Sequence, residues 1–167
     1  MALIRVPESE ELVGRWRERF DSSAADAVPA HVTLVYPFAP LEAVDTDVRA
    51  GLRELFAPVK PFWFDLVELG RFPSVLYLRP DPGEPFRDLI EALVRRFPEY
   101  PPYEGEFDEP LPHLTVAQSD DEALLGRIES ELAPSLPIRA RASEAVLMAE
   151  GEDGRWQVAD TFPFGGG

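Results

Sequence analysis

The sequence predicts an α+β fold: a bilobal, pseudo-two-fold duplication in which two mostly antiparallel sheets face a central cleft, with helices on the outside. Three observations predict it. Helical and strand-like periodicities alternate with hairpin signals along all 167 residues, a pattern that favours antiparallel pairing beside helices. One short word occurs twice, as "HVTLV" at His31–Val35 and "HLTV" at His113–Val116. The order of elements also repeats around that word: a helix, the strand that carries it, another helix and a hairpin. A period this long points to a duplicated half rather than a solenoid unit. The length suits one well-buried core, and a single bilobal domain over residues 1–167 is expected.

Taken in order, "ALIRVP" (Ala2–Pro7) reads as a short strand closing at proline. "ESEELVGRWRERF" (Glu8–Phe20) places Leu12, Trp16 and Phe20 at helical spacing. A loop, "DSSAADAVPA", leads to the strand "HVTLVYPF", which ends at Pro37. "TDVRAGLRELFA" reads as a helix with Thr46 as its N-cap. "PFWFDLVELGRF" and "SVLYLRP" form two strands around a turn at Gly70–Ser74. Glu84–Phe97 is an amphipathic helix that turns Phe86, Leu89, Ile90, Leu93 and Val94 to the core. "PEYPPYEGEFDEPLP" is too aromatic for a simple linker and reads as an ordered loop held by Tyr100, Tyr103 and Phe107. After "HLTVAQ", Ser119 and Glu122 fit a capping box for the next helix. "LPIRARASEAVLMAE" and "GRWQVADTFPF" read as a hairpin over "GEDG".

Composition narrows the function. A formal net charge of −15 forfeits the phosphate neutralisation on which extended nucleic-acid binding depends. No apolar run approaches the roughly 20 residues of a membrane span, and the N-terminus lacks the features of a secretory signal, so a cytoplasmic location is expected. The chain has no cysteine and only two histidines, which argues against disulfides, thiolate chemistry and a structural zinc site.

Both histidines lie in the repeated word. On a strand, residues i and i+2 share a face, so His31 pairs with Thr33 and His113 with Thr115, while Val32, Leu34, Leu114 and Val116 turn to the core. Tyr36 falls on the face opposite His31 by the same counting and is read as core. If a pseudo-dyad relates the halves, two imidazoles and two hydroxyls converge. Such a set suits displacement at phosphorus. A neutral imidazole takes a proton from the attacking oxygen and a protonated one gives a proton to the leaving oxygen, which an unperturbed pKa of about 6.5 allows. Threonine hydroxyls donate to the non-bridging oxygens as charge builds. The scheme needs neither metal nor cofactor. A non-catalytic nucleotide-binding module using the same cleft is the alternative.

The paired words, together with "RFPSVLYLRP" and "RFPEYPPYEGEF" before "PHLT", resemble the 2H phosphoesterase superfamily, in particular the bacterial branch of its 2′-5′ RNA ligase and cyclic phosphodiesterase group. The resemblance spans nearly the whole chain. It implies a bilobal α+β fold with a central cleft and metal-independent action on a 2′,3′-cyclic phosphate or a 2′-5′ linked nucleotide or RNA end. It makes His31 and His113 the acid–base pair and Thr33 and Thr115 the phosphate holders, without saying which histidine is the acid. Some ligase-type members carry a basic residue just after the second word. Here Gln118 follows, which favours a nucleotide-sized substrate.

Weaker candidates surround this set. Arg71 either reaches phosphate at the cleft mouth or stands as a solvated turn residue. Tyr77 and Trp156, in matching places in the two hairpins, either wall the cleft or pack in the core. Phe72 and Tyr103 are candidates to stack on a nucleobase.

Overall fold

The computed structural model describes residues 1–101 and 111–165. Its strands are β1 (Ala2–Arg5), β2 (His31–Val35), β3 (Phe62–Phe72), β4 (Val75–Asp81), β5 (Leu114–Gln118), β6 (Ile138–Ala142), β7 (Glu144–Glu150) and β8 (Trp156–Pro163). Its helices are α1 (Glu10–Phe20), the single-turn α2 (Ser22–Ala25), α3 (Thr46–Phe56), α4 (Glu84–Arg96) and α5 (Glu122–Leu132). The strands form two four-stranded sheets, ordered β2-β1-β7-β8 and β5-β4-β3-β6, with every neighbouring pair antiparallel. The expected α+β architecture is the one observed.

The halves are interleaved rather than side by side. The β3–β4 hairpin, from the first half of the chain, supplies β4 as the neighbour of β5 in the second sheet. The β7–β8 hairpin, from the second half, completes the first sheet through β1. Helices cross as well: α1 packs against β5 and α4 against β2. The expected parsing, in which each half keeps its own hairpin, is therefore corrected. The repeating unit begins on a strand, so that β1 corresponds to β4 and β2 to β5. Tyr77 and Trp156 do not match each other: β4 is internal and borders β5, whereas β8 is an edge strand.

A second correction concerns "LPIRARASEAVLMAE". It is two strands in different sheets: Ala142 pairs with Phe62 in one, and Glu144 with Pro163 in the other. The chain switches sheets at Ser143, whose carbonyl accepts a hydrogen bond from the Phe164 amide at 2.9 Å.

Helix starts also differ by a residue or two from expectation. Asp45, not Thr46, caps α3, its carboxylate accepting from the amides of Asp47 and Val48. Asp121 caps α5 in the same way, and Ser119 instead accepts from the Asp121 amide. In both places a carboxylate reaches two orphan amides and complements the helix dipole, where a hydroxyl would satisfy one.

One hydrophobic core fills the space behind both sheets. Ile4, Val32 and Leu34 enter it from the first sheet, and Phe64, Leu78 and Leu114 from the second. On α4 the buried residues Phe86, Leu89, Ile90 and Leu93 follow the expected helical stripe. The stripe of α1 is rotated: Val13 and Arg17 are buried, while Leu12, Trp16 and Phe20 are only partly so. Among the described residues no helix is long and apolar enough to cross a membrane.

Candidate active site

β2 and β5, end strands of the two sheets, lie beside each other. Each carries the repeated word in the expected orientation, with His31 and Thr33 half-buried and Val32 and Leu34 fully buried. His113, just ahead of β5, and Thr115 are likewise half-buried, and Leu114 and Val116 fully so.

The two strands share a distortion. Leu3 lies opposite Thr33, but Ala2 lies opposite Val35, so Leu34 is an extra residue on β2. Tyr77 lies opposite Thr115 and Leu76 opposite Ala117, so Val116 is the extra residue on β5. A bulge places two consecutive residues on one side, and Leu34–Val35 and Val116–Ala117 are both buried pairs. The alternation then restarts out of phase. Tyr36 and Gln118 return to the side of the histidines, and both line the cavity there. The expectation that Tyr36 is core is corrected: its side chain is 45% exposed.

Each imidazole is anchored from behind. His31 Nδ1 donates to the Pro29 carbonyl at 2.8 Å, and His113 Nδ1 donates to the Leu111 carbonyl at 2.7 Å. A carbonyl only accepts, so these bonds fix the tautomer and leave Nε2 as the nitrogen that exchanges a proton. His31, Thr33, His113 and Thr115 line one open cavity of about 290 Å³. Trp156 and Tyr36 wall it on one side, their rings edge-on at 6.0 Å. The segment carrying Asp21, Ser22 and Asp26 walls it on another, and the Ser22 hydroxyl reaches Gln118 at 3.4 Å.

The surroundings of the two histidines differ. Behind the His31 wall lies a buried ion network. Arg17, 2% exposed, donates through Nε to Asp21 at 3.1 Å, and its terminal nitrogen reaches the Ser23 hydroxyl at 3.2 Å and the Val28 carbonyl at 3.3 Å. The second Asp21 oxygen accepts from the Ser23 amide. Glu10 joins from α1, accepting from the Ala30 amide at 2.6 Å. These bonds tie α1 to the segment that ends in the His31 anchor. Burial drives the His31 pKa down to about 4, the Arg17 and His113 charges push the same way, and the Pro29 bond and Asp21 oppose them. The ring sits deep among protein atoms yet keeps a surface on the cavity.

His113 has aromatic neighbours instead. The Phe72 and Tyr77 rings meet it edge-on at 5.1 and 5.5 Å, and stack on each other at 4.3 Å. Burial lowers the His113 pKa too, against the Leu111 bond. Among the described residues no group of three or more His, Cys, Asp or Glu side chains converges as a metal site.

The expected residues thus divide. The two His-x-Thr pairs and Trp156 line the cavity, and Phe72 and Tyr77 pack around His113. Arg71 is corrected. It lies on the opposite face of β3 from Phe72, and its guanidinium is held by Glu129 at 2.7 Å and Glu122 at 2.8 Å on α5. Tyr103 lies outside the described residues. The expectations missed Arg17, Asp21, Tyr36 and Gln118 as part of this region. Two adjacent aliphatics after each threonine, "LV" and "VA", are the signal that would have revealed the bulges.

A family model described as the 2′-5′ RNA ligase superfamily matches residues 6–154. A Bacillus licheniformis protein that carries the provisional name phosphoesterase is 31% identical, covering 93% of this chain and 92% of the relative. A Bacillus pumilus relative with the same provisional name is 29% identical over 93% of this chain and 91% of its own. Among solved structures, the Thermus thermophilus protein TT0787 superposes with a TM-score of 0.64 at 20% identity, covering 99% of this chain and 97% of that one. Escherichia coli LigT, crystallised with NADP+, gives a TM-score of 0.61 at 20% identity, over 98% of this chain and 95% of LigT.

Proposed function

Because the chain belongs to the 2′-5′ RNA ligase superfamily, we propose that its cleft hydrolyses a small phosphodiester, a nucleoside 2′,3′-cyclic phosphate or a 2′-5′ linked nucleotide end, by two-histidine acid–base catalysis. One observation carries this reading. Two carbonyl-anchored imidazoles and two threonines, from strands with the same bulge, line one cavity. That relatives bear phosphoesterase names and that LigT was crystallised with 3′-AMP and ATP is in keeping with it.

In this reading water attacks phosphorus as its proton passes to the neutral Nε2 of one imidazole. The bond from phosphorus to the leaving ribose oxygen breaks, and that oxygen takes the proton from Nε2 of the other imidazolium. Thr33 and Thr115 donate to the non-bridging oxygens, where charge accumulates. His31 suits the base, because burial and the Arg17 charge keep it neutral near pH 7. His113 suits the acid, because aromatic rings tolerate a cation beside them better than Arg17 does. Ligation would use the same groups in reverse.

The test is turnover of 2′,3′-cyclic nucleotides and 2′-5′ linked dinucleotides in the presence of chelator. Hydrolysis that survives chelator and is lost in both His31→Ala and His113→Ala is the expected result. Saturable nucleotide binding without turnover would instead make the cleft a binding module.

A further inference from the structure

Beyond the catalytic cavity lies a second one of about 340 Å³, and the two share Met1, Tyr36 and Trp156 as a common wall. The far side of the second cavity is mostly apolar, built from Pro37, Phe38, Leu41, Val44 and Leu147. We propose that the substrate carries a single phosphate, the reacting diester, and that its second, uncharged nucleoside occupies this neighbouring cavity. This rests on the phosphodiester reading above and narrows the substrate class.

Charge argues for the single phosphate. Among the described residues neither cavity is lined by an arginine or lysine. The segment 102–110, "PYEGEFDEP", contains neither, so it brings no cation wherever it runs. Carboxylates are present instead: Asp21 and Asp26 in the first cavity, Glu42 and Glu150 in the second. An imidazolium and two hydroxyls suffice for one diester anion. Met1 lines both cavities, but its amino group donates to the Met148 carbonyl and burial drives its pKa down to about 5. A further phosphate would therefore meet carboxylates with no arginine or lysine to offset them. At the position on β5 that corresponds to Tyr36 stands neutral Gln118, which adds hydrogen bonding but no charge.

Shape and surface argue for the nucleoside. The edge-on Tyr36–Trp156 pair stands between the cavities, and aromatic walls bind nucleobases by stacking regardless of sequence. The apolar lining suits the faces of a base, and Glu42 and Glu150 accept hydrogen bonds from amino or ribose hydroxyl groups. Continuity through the shared wall sets the two halves of one diester on either side of it.

The experiment compares kcat/KM for a 2′-5′ linked dinucleoside monophosphate with that of the same compound bearing an added terminal phosphate at either end. The expected result is a loss of about tenfold or more for each phosphorylated form, and a smaller loss in Glu42→Lys. Leu41 lines only the second cavity and is 48% exposed, so Leu41→Trp fills that space without disturbing the core. It is expected to lower the ratio of dinucleotide to cyclic mononucleotide kcat/KM by about tenfold. Phosphorylated substrates used as well as the plain dinucleotide, or a ratio unchanged in Leu41→Trp, would overturn the proposal. If the wild-type protein turns nothing over, the phosphodiesterase reading fails separately. The same ligand pairs are then compared by Kd from the fluorescence change that Trp156→Phe abolishes, and equal affinities still overturn the single-phosphate inference.

Discussion

His31 and His113 occupy equivalent points on two strands with the same bulge and the same carbonyl anchor, but their neighbourhoods are unlike. Leu3 lies opposite Thr33, with Val146 opposite Leu3 in turn. Tyr77 takes the place of Leu3 opposite Thr115, and Gly70 the place of Val146. The exchange is compensated, because a Cβ on Gly70 would run into the Tyr77 ring. On the first side stands the buried Arg17–Asp21 pair; on the second, among the described residues, the uncharged Phe72 and Tyr77 rings pack against the imidazole. Duplication supplies two imidazoles, both held below the ordinary value by burial, and divergence of their neighbours gives each its own surroundings. In the proposed mechanism that difference in surroundings is what would make one imidazole the base and the other the acid.

The largest expected effect comes from deleting either side of the comparison. His31→Ala and His113→Ala should each lower kcat/KM on the order of 10²–10⁴-fold, the usual weight of a general acid or base. The residual activities should differ in shape. Without His31 the acid limb of the pH profile disappears, and without His113 the alkaline limb does. Identical residual profiles would erase the distinction between the two sides.

Arg17→Met removes the charge that marks the first side. Breaking one partner of a buried pair costs about 3–5 kcal/mol, because Asp21 is left buried and uncompensated. Urea unfolding should show that loss, with Arg17→Met/Asp21→Asn recovering part of it. An unchanged midpoint would mean that the network contributes nothing to holding the His31 wall.

Thr33→Val and Thr115→Val test whether the symmetric part of the site is used symmetrically. Each should slow turnover on the order of 10²-fold, as loss of one donor to developing charge does, and steady-state kinetics on a cyclic nucleotide reads it. Full activity in the double variant would assign the hydroxyls another job.

The smallest effect is on stability. The folded protein holds a proton on His31 less tightly, at about pH 4, than the unfolded chain, whose imidazole has its ordinary value of 6.5. Stability from this group is therefore intact above about pH 6.5 and falls as the pH drops toward 4. The expected loss is about 2 kcal/mol, less than the full shift implies because the ring keeps a surface on the cavity. Unfolding free energies measured across that window should decline less in His31→Gln than in the wild-type protein.

Much of the site was legible in the sequence because it depends on the two-residue period of a strand. That period set His31 beside Thr33 and His113 beside Thr115 with no knowledge of pairing. It failed one step later, at Tyr36 and Gln118, because a bulge is a property of two strands and one strand alone does not reveal it. The helices were read well where an apolar stripe marks them, as on α4. Arg17 was missed because a charged residue at a helical position is read as solvated, and only the fold brings Asp21, Ser23 and the Val28 carbonyl around it. Arg71 failed for the converse reason: turn arginines look available until the facing helix is known to carry Glu122 and Glu129. The exchange of hairpins between sheets was likewise hidden, since every strand involved is equally apolar whichever neighbour it takes.

The chain contains only two histidines, so an NMR pH titration of the imidazole carbon-bound protons gives two signals, assigned by His31→Gln and His113→Gln. The expected result is separate titrations, His31 near pH 4 and His113 at its own value below 6.5, with kcat/KM for a cyclic nucleotide greatest between the two. Two histidines titrating together at about 6.5, or a rate that is flat from about pH 5 to 9, would contradict it.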